Sequence, residues 1–294
     1  MKRTVISAIL ASLLLSTSLI AKSEIKSVNE VNKGAIAKGT QDALASQKKL
    51  IVEAVNSLKF TNEALIALNK NDTKSATQNI EKALGKLEVI LSAKNAPKLL
   101  PIDSAVSIHE FIGTKEDVVK TVDTVKDLLD DNKVQVAREL LNTLQSEIDV
   151  TVVSLPLVTY PDALKLAAKY IHDGNTEEAK RVLEVALSTF DKSIEIIPLP
   201  LLKATDLIYV SANLSKNGKK EEALKYLDAA ENELDVAEAL GYVSHSDNTY
   251  KSLHSVIKHV RKEIKGKNKA EKLFDELKAK LKDFKDQVFS EKAK

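Results

Sequence analysis

From Gln41 to Lys70 the apolar positions Leu44, Ile51, Ala54, Val55, Leu58, Leu65 and Leu68 recur mostly at helical spacing, and polar residues fill the gaps. Asn71 breaks that pattern, and Ala76, Ile80, Ala83, Leu84 and Leu87 mark a returning helix. The same figure recurs three more times, and laying the returning helices over one another aligns four columns. Ala76, Ala137, Ala179 and Ala223 share one slot. Asn71, Asn132, Gly174 and Gly218 stand five residues earlier, and these two residue types best tolerate the left-handed backbone that ends a helix. Ile80, Leu141, Leu183 and Leu227 stand four later; Leu87, Ile148, Phe190 and Leu234 stand eleven later. Each unit therefore reads as a helical hairpin whose second helix turns Ala, then a branched aliphatic, towards its partner. Asn175 and Glu178 have the spacing of a cap for the third returning helix.

Other patterns complete the picture. The six prolines fall in pairs after the first three hairpins, Pro97 with Pro101, Pro156 with Pro161 and Pro198 with Pro200, where proline suits a loop or a first helical turn. Ala105 to Ile112 alternates, and Val150, Thr151, Val152 and Val153 crowd Asp149 to Leu155; both suit extended chain better than helix. They flank the second hairpin, whose first helix starts near Thr114 with Asp117 at capping-box distance. That hairpin carries their ends together as an antiparallel pair, with Ile194 to Ile197 as a third piece. Ser23 to Thr40 has no firm period and reads as a loose or partly ordered lead-in. After Gly241, a polar link precedes a helix carrying Leu253, Val256, Ile257, Val260 and Ile264, which Gly266 ends or bends. The last stretch places Leu273, Leu277, Leu281 and Phe284 in a narrow seam on a Lys-rich helix, which packs either against the body or against a second subunit. The expected fold is mainly α: four irregularly spaced helical hairpins packed as one compact helical domain, a short two- or three-strand β element and a C-terminal amphipathic helix.

Of the 294 residues 44% are hydrophobic and 4% aromatic, enough for a full-sized core built from aliphatics and Ala. Residues 1–21 read as a secretory signal peptide, with Lys2 and Arg3 before the apolar run Val5 to Leu15 and Ala21 last before cleavage. The alternative is an uncleaved anchor, since Val5 to Ala21 lies at the short edge of the ~17 to 25 residues that span a bilayer. Residues 22–250 then form the hairpin domain and residues 251–294 a charged helical extension. Lys plus Arg number 44 against 42 Asp plus Glu. Without Lys2 and Arg3 the balance is even, which gives little electrostatic reason to bind nucleic acid. The chain has no cysteine, so disulfides, thiolate metal sites, cysteine nucleophiles and a lipidated cysteine are excluded.

Candidate chemistry is sparse. His254 and His259 are five apart and fall on different helix faces, and His109-Glu110 lacks the second His of a zincin. His245, His254 and Asp247 are the one dispersed set that could assemble a metal or catalytic site. First-turn carboxylates such as Glu177, Glu178, Glu221 and Glu222 read as partners of helix N-terminal amides. With eight glycines, no phosphate cradle and no Gly-x-Ser-x-Gly elbow, the chain is read as a non-enzyme without a cofactor or metal. The loop Leu155, Pro156, Tyr160, Pro161, Asp162 is the preferred binding surface, its alternative role being a buried linker.

ALKLAAKYIHDGNTEEAKRVLEVAL resembles a tetratricopeptide hairpin, but the Ala-to-Ala steps of 61, 42 and 44 are not a constant ~34, so a tandem superhelix is not expected. The runs LPLVTYPDALKLA at Leu155 to Ala167, IPLPLLKATDLI at Ile197 to Ile208, ELDVAEALGY at Glu233 to Tyr242 and LLDDNKVQVARELL resemble the YfdX family of exported bacterial proteins. That resemblance implies a mainly helical, periplasmic, stress-associated protein that forms homo-oligomers and carries no agreed enzymatic activity. Ala-lined hairpins with apolar loops and no recognisable chemistry suggest protein clients or small apolar molecules as partners, and no second long apolar run offers an integral membrane span. Membrane-surface binding through the Lys-rich tail is a further alternative.

Overall fold

In the computed structural model the described residues are 26–46, 51–244, 248–266 and 270–291, so the expected leader of residues 1–21 and His245 and Asp247 lie outside them. The described residues form eleven helices and three strands. The four expected hairpins are α2 (Val52–Asn69) with α3 (Thr73–Leu91), α4 (Lys115–Asp130) with α5 (Val134–Asn142), α6 (Tyr160–His172) with α7 (Thr176–Ser188), and α8 (Leu199–Lys216) with α9 (Lys220–Ala239). Helix α1 (Val28–Ser46) precedes them, and α10 (Asn248–Lys265) and α11 (Glu271–Glu291) follow. Each hairpin reverses at a residue in the left-handed region: Asn71 and Asn132 at φ 59°, Gly174 at 79° and Gly218 at 74°. Ala76, Ala137, Ala179 and Ala223 are all buried, as helices packed closely through Ala require.

The strands β1 (Leu99–His109), β2 (Glu147–Pro156) and β3 (Asp191–Pro198) form an antiparallel sheet of order β1-β2-β3. Pro101 lies on the edge strand β1, where its missing N–H leaves no ladder bond broken at the sheet centre. Pro161 and Pro200 occupy the first turns of α6 and α8. Thr114 and Asp117 form the expected capping box of α4.

By contact the chain divides into two units, and the boundary falls within each strand. Gln47–Ala105 with Val150–Ile194 makes one, in which hairpins α2–α3 and α6–α7 pair, α2 against α7 and α3 against α6. Its core joins Ile80, Leu87, Leu100, Leu155, Tyr160, Leu164 and Leu183. Met1–Ser46, Val106–Asp149 and Glu195–Lys294 make the other, centred on hairpin α8–α9. There α1 packs on α8, α4 and α10 pack on α9, and α11 packs on α8 and α10. Its core joins Leu207, Leu227, Leu234, Leu253, Ile257, Ile264, Leu277 and Phe284.

Three expectations need correction. Much of Ser23 to Thr40 is helix, not a loose lead-in: α1 opens on a reciprocal cap in which Ser27 N donates to Glu30 Oε2 at 2.6 Å and Glu30 N donates to Ser27 Oγ at 3.2 Å. Its buried stripe is the modest set Val31, Ala35 and Ala43, too weak to show as a period, and a Cβ on Gly39 would collide with Leu202 of α8. Asn175 does not cap α7 through its side chain; Glu178 instead takes Arg181, Nε to Oε2 at 3.1 Å. The aliphatic columns also lapse at the second hairpin. Helix α5 stops at Asn142, so Leu141 is exposed and Ile148 is buried from β2 instead of from a helix.

Candidate functional site

Helix α9 carries the densest polar chemistry of its unit. Its buried stripe, Ala223, Leu227, Ala230, Leu234 and Ala237, docks the helix in the core and thereby fixes the two acidic faces beside it. On one face Asp228, Glu231, Asp235 and Glu238 follow at helical spacing and meet the Tyr250, His254 and Arg261 stripe of α10. Arg261 Nη2 lies 2.7 Å from Asp228 Oδ1 and also donates to Glu231 Oε2. His254 sits between carboxylates, Nδ1 3.4 Å from Glu231 Oε1 and Nε2 3.7 Å from Asp235 Oδ1. Tyr250 OH donates towards Asp235 Oδ1 at 3.2 Å and Glu238 Oε2 at 3.3 Å, and Lys115 Nζ reaches Glu238 Oε2 at 2.8 Å. The His254 hydrogen bond, with Arg261 adding to it against the cost of burial, holds the Glu231 carboxyl down at about 2. Burial pushes the Tyr250 hydroxyl well up.

On the other face a cavity of about 400 Å³ is lined by Val28, by Gly113 to Glu116 and by Ala229, Asn232, Glu233, Asp235 and Val236. Glu233 Oε1 accepts from Asn32 Nδ2 at 3.2 Å and lies 4.0 Å from Lys203 Nζ. Lys203 is only 5% exposed and takes Glu110 Oε1 at 2.9 Å. Burial pushes the Glu233 carboxyl up to about 7; Lys203 opposes the rise and Glu110 adds to it. Asn32 Oδ1 is buried with no donor, and a protonated Glu233 supplies a donor of the kind it lacks.

A stability consequence follows. Glu233 releases its proton near 4.5 when unfolded and near 7 when folded. Its contribution is therefore complete below 4.5 and is lost as pH rises through about 7. Glu231 has the opposite sign: its contribution is present above 4.5 and is lost as pH falls towards about 2. Glu233→Gln, neutral at every pH, is expected to flatten the pH dependence of Tm between pH 5 and 8 and to raise Tm at pH 8. An unchanged slope in melts across that window would show that Glu233 is not the titrating group.

The sequence-selected residues lie elsewhere. Leu155, Tyr160 and Pro161 are buried, Pro156 is half-buried, and Asp162 is exposed beside Lys165 at 3.7 Å. Burial pushes the Tyr160 hydroxyl up to about 12, with Thr61 as its opposing neighbour. Leu277, Leu281 and Phe284 are buried in the unit's own core and Leu273 is half-buried against it. His109, His172 and His259 are exposed. Among the described residues no three His, Asp or Glu side chains are grouped to hold a metal ion, and no helix is long and apolar enough to cross a membrane. Glu233, Lys203 and Asn32 were not singled out from sequence, and Glu110 was weighed only beside His109; the one visible signal was a lone lysine inside the apolar run LPLLKATDLI.

Comparison with known proteins places the chain. No curated protein matches it. Among solved structures, a crystal form of Salmonella Typhi YfdX is similar with a TM-score of 0.35 and 14% identity, over 50% of this chain and 91% of that one. The family model described as YfdX protein matches residues 57–194, from within α2 to the middle of β3. Over that segment, a little under half of the chain, the sequence is similar to the YfdX family.

Proposed function

We propose that this is a non-catalytic periplasmic protein that self-associates and holds protein partners or small apolar molecules during envelope stress. The carrying observation is the set of large aliphatic side chains left exposed on helix faces and loops, among them Val52, Val89, Ile112, Val136, Val158 and Val185. Such side chains gain free energy by being covered, which suits work done by contact. The ionic groups of α9 support the same reading, since their carboxylates are occupied by Arg261, His254, Lys115 and Lys203 in holding helices together. The resemblance of residues 1–21 to a leader supports export.

Two measurements test this. The mature chain is expected to bind an environment-sensitive apolar dye and, at near-stoichiometric amounts, to suppress the light scattering of a heat-unfolding test protein. Cell fractionation is expected to recover it with the periplasmic contents. Absence of both dye binding and suppression would overturn the contact reading, and recovery with the cytoplasm would overturn the location.

A further inference from the structure

The cavity between the first turn of α1, helix α9 and the start of α4 has no part in the contact function put forward above. Its lining carries three carboxylates, Glu116, Glu233 and Asp235, and one ammonium, Lys115, which Glu238 already holds at 2.8 Å. Asp235 is likewise engaged, by Tyr250 and His254. Glu233 differs. Its hydrogen bond from Asn32 and its approach to Lys203 both fall on Oε1, and Lys203 stands closer to Glu110, at 2.9 Å against 4.0 Å. One ammonium thus serves two carboxylates, and Glu233 Oε2 is left for what enters the cavity.

A second observation points the same way. Asn32, one turn on from the lining residue Val28 along α1, donates from Nδ2 to Glu233 and has its Oδ1 buried without a donor. A proton on Glu233 eases that excess of acceptors; once Glu233 is ionised, the site lacks both a donor and a positive charge. Val28, Ala229 and Val236 give the lining an apolar side, and its volume of about 400 Å³ lies within the ~300–1,000 Å³ usual for small-molecule sites. A compact charge with several N–H donors on an aliphatic stem matches these walls. The ammonium supplies what Glu233 lacks, and the stem covers the apolar side.

We propose that this cavity binds a small aliphatic primary ammonium compound, with the Glu233 carboxylate as its counter-ion and Val28, Ala229 and Val236 against its alkyl chain. The charged groups that face Glu233 are Lys203 from α8, Glu110 ahead of α4, and Lys115, Glu116 and Asp235 around the cavity. The ligand's positive charge takes the place of the proton that Glu233 otherwise holds, so binding releases that proton. Because burial pushes the Glu233 carboxyl up to about 7, affinity is expected to rise with pH as the ionised, binding-competent fraction grows. That fraction is roughly one-tenth at pH 6 and nine-tenths at pH 8.

The test is a two-dimensional amide NMR titration of the full mature chain with n-butylammonium chloride, at pH 6 and pH 8 and constant ionic strength, with sodium butyrate as the charge-reversed control. Saturable shifts at Gly113, Asn232 and Glu233 are expected at pH 8, with an apparent Kd roughly tenfold weaker at pH 6 and no such shifts with butyrate. Glu233→Gln is expected to weaken binding at pH 8 by roughly tenfold or more and to remove its pH dependence. Ala229→Leu keeps every charge but narrows the cavity, and is expected to weaken binding as well. No saturable shift at pH 8, equal shifts with butyrate, or a Glu233→Gln chain that binds as the wild type does would overturn the proposal. Should one variant fail to fold, the other decides, and wild-type affinity in it would count the cavity out. None of these outcomes bears on the contact function, which dye binding and suppression of scattering test separately.

Discussion

Lys203→Ala is expected to cost about 3 kcal/mol of folding stability at pH 8, because removing one partner of a buried ion pair leaves the other charge uncompensated. Lys203 is nearly inaccessible on α8, and its ammonium is the cation beside both Glu110 and the buried Glu233. The lower end of the usual ~3–5 kcal/mol applies, since Glu110 can turn part of its side chain to water. The loss is expected to shrink at pH 6, where Glu233 takes up a proton and needs no countercharge. Urea denaturation at the two pH values measures both effects. Equal loss at pH 6 and pH 8 would mean that Lys203 is held by Glu110 alone.

Leu277→Ala is expected to cost ~2–5 kcal/mol, as for other fully buried leucines cut back to a methyl group. Leu277 and Leu281 are inaccessible and join the core that holds Leu207 and Leu253. Helix α11 is thereby part of its unit's fold, and Lys278 adds a cation–π contact 5.0 Å above the Tyr209 ring of α8. Leu281→Ala should behave alike, while Leu273→Ala, at a half-buried position, should cost less. Chemical denaturation of the three variants checks the order. A Leu277 variant as stable as wild type would show that the tail contributes nothing to that core.

The hairpins were legible because their signal is local. A left-handed turn selects Asn or Gly at one position, and a close helix contact selects Ala five residues later, so both leave a mark at fixed spacing in Asn71/Ala76 and Gly218/Ala223. The strands were legible in part: a β-branched run such as Val150 to Val153 disfavours helix, but Leu99 to Ser104, the first half of β1, carries no such run, and the extended reading falls at Ala105 to Ile112 instead. Helix α1 was not, because its fit depends on Gly39 admitting Leu202, a side chain 163 positions away in the sequence. The polar cluster around Glu233 was less legible still. Asn32, Glu110, Lys203 and Glu233 come from four separate segments, and apart from the lysine set inside an apolar run each reads alone as an ordinary surface residue. Only burial turns Glu233 from a common carboxylate into a group that titrates near 7. The stretch Leu155 to Asp162, read as a loop but in fact the end of β2 and the first turn of α6, drew notice through rigid prolines and a tyrosine, features that a binding surface and an interior segment share.

The hairpin fold depends on four buried alanines standing behind four left-handed turns. Because the chain has no cysteine, Ala76→Cys, Ala137→Cys, Ala179→Cys and Ala223→Cys each introduce a single thiol whose labelling rate reports accessibility. In the native state all four are expected to react with a maleimide at least ~100-fold more slowly than after unfolding, as buried positions that open only by unfolding do. Native rates equal to the unfolded ones, in variants that keep the wild-type helical signal, would contradict it.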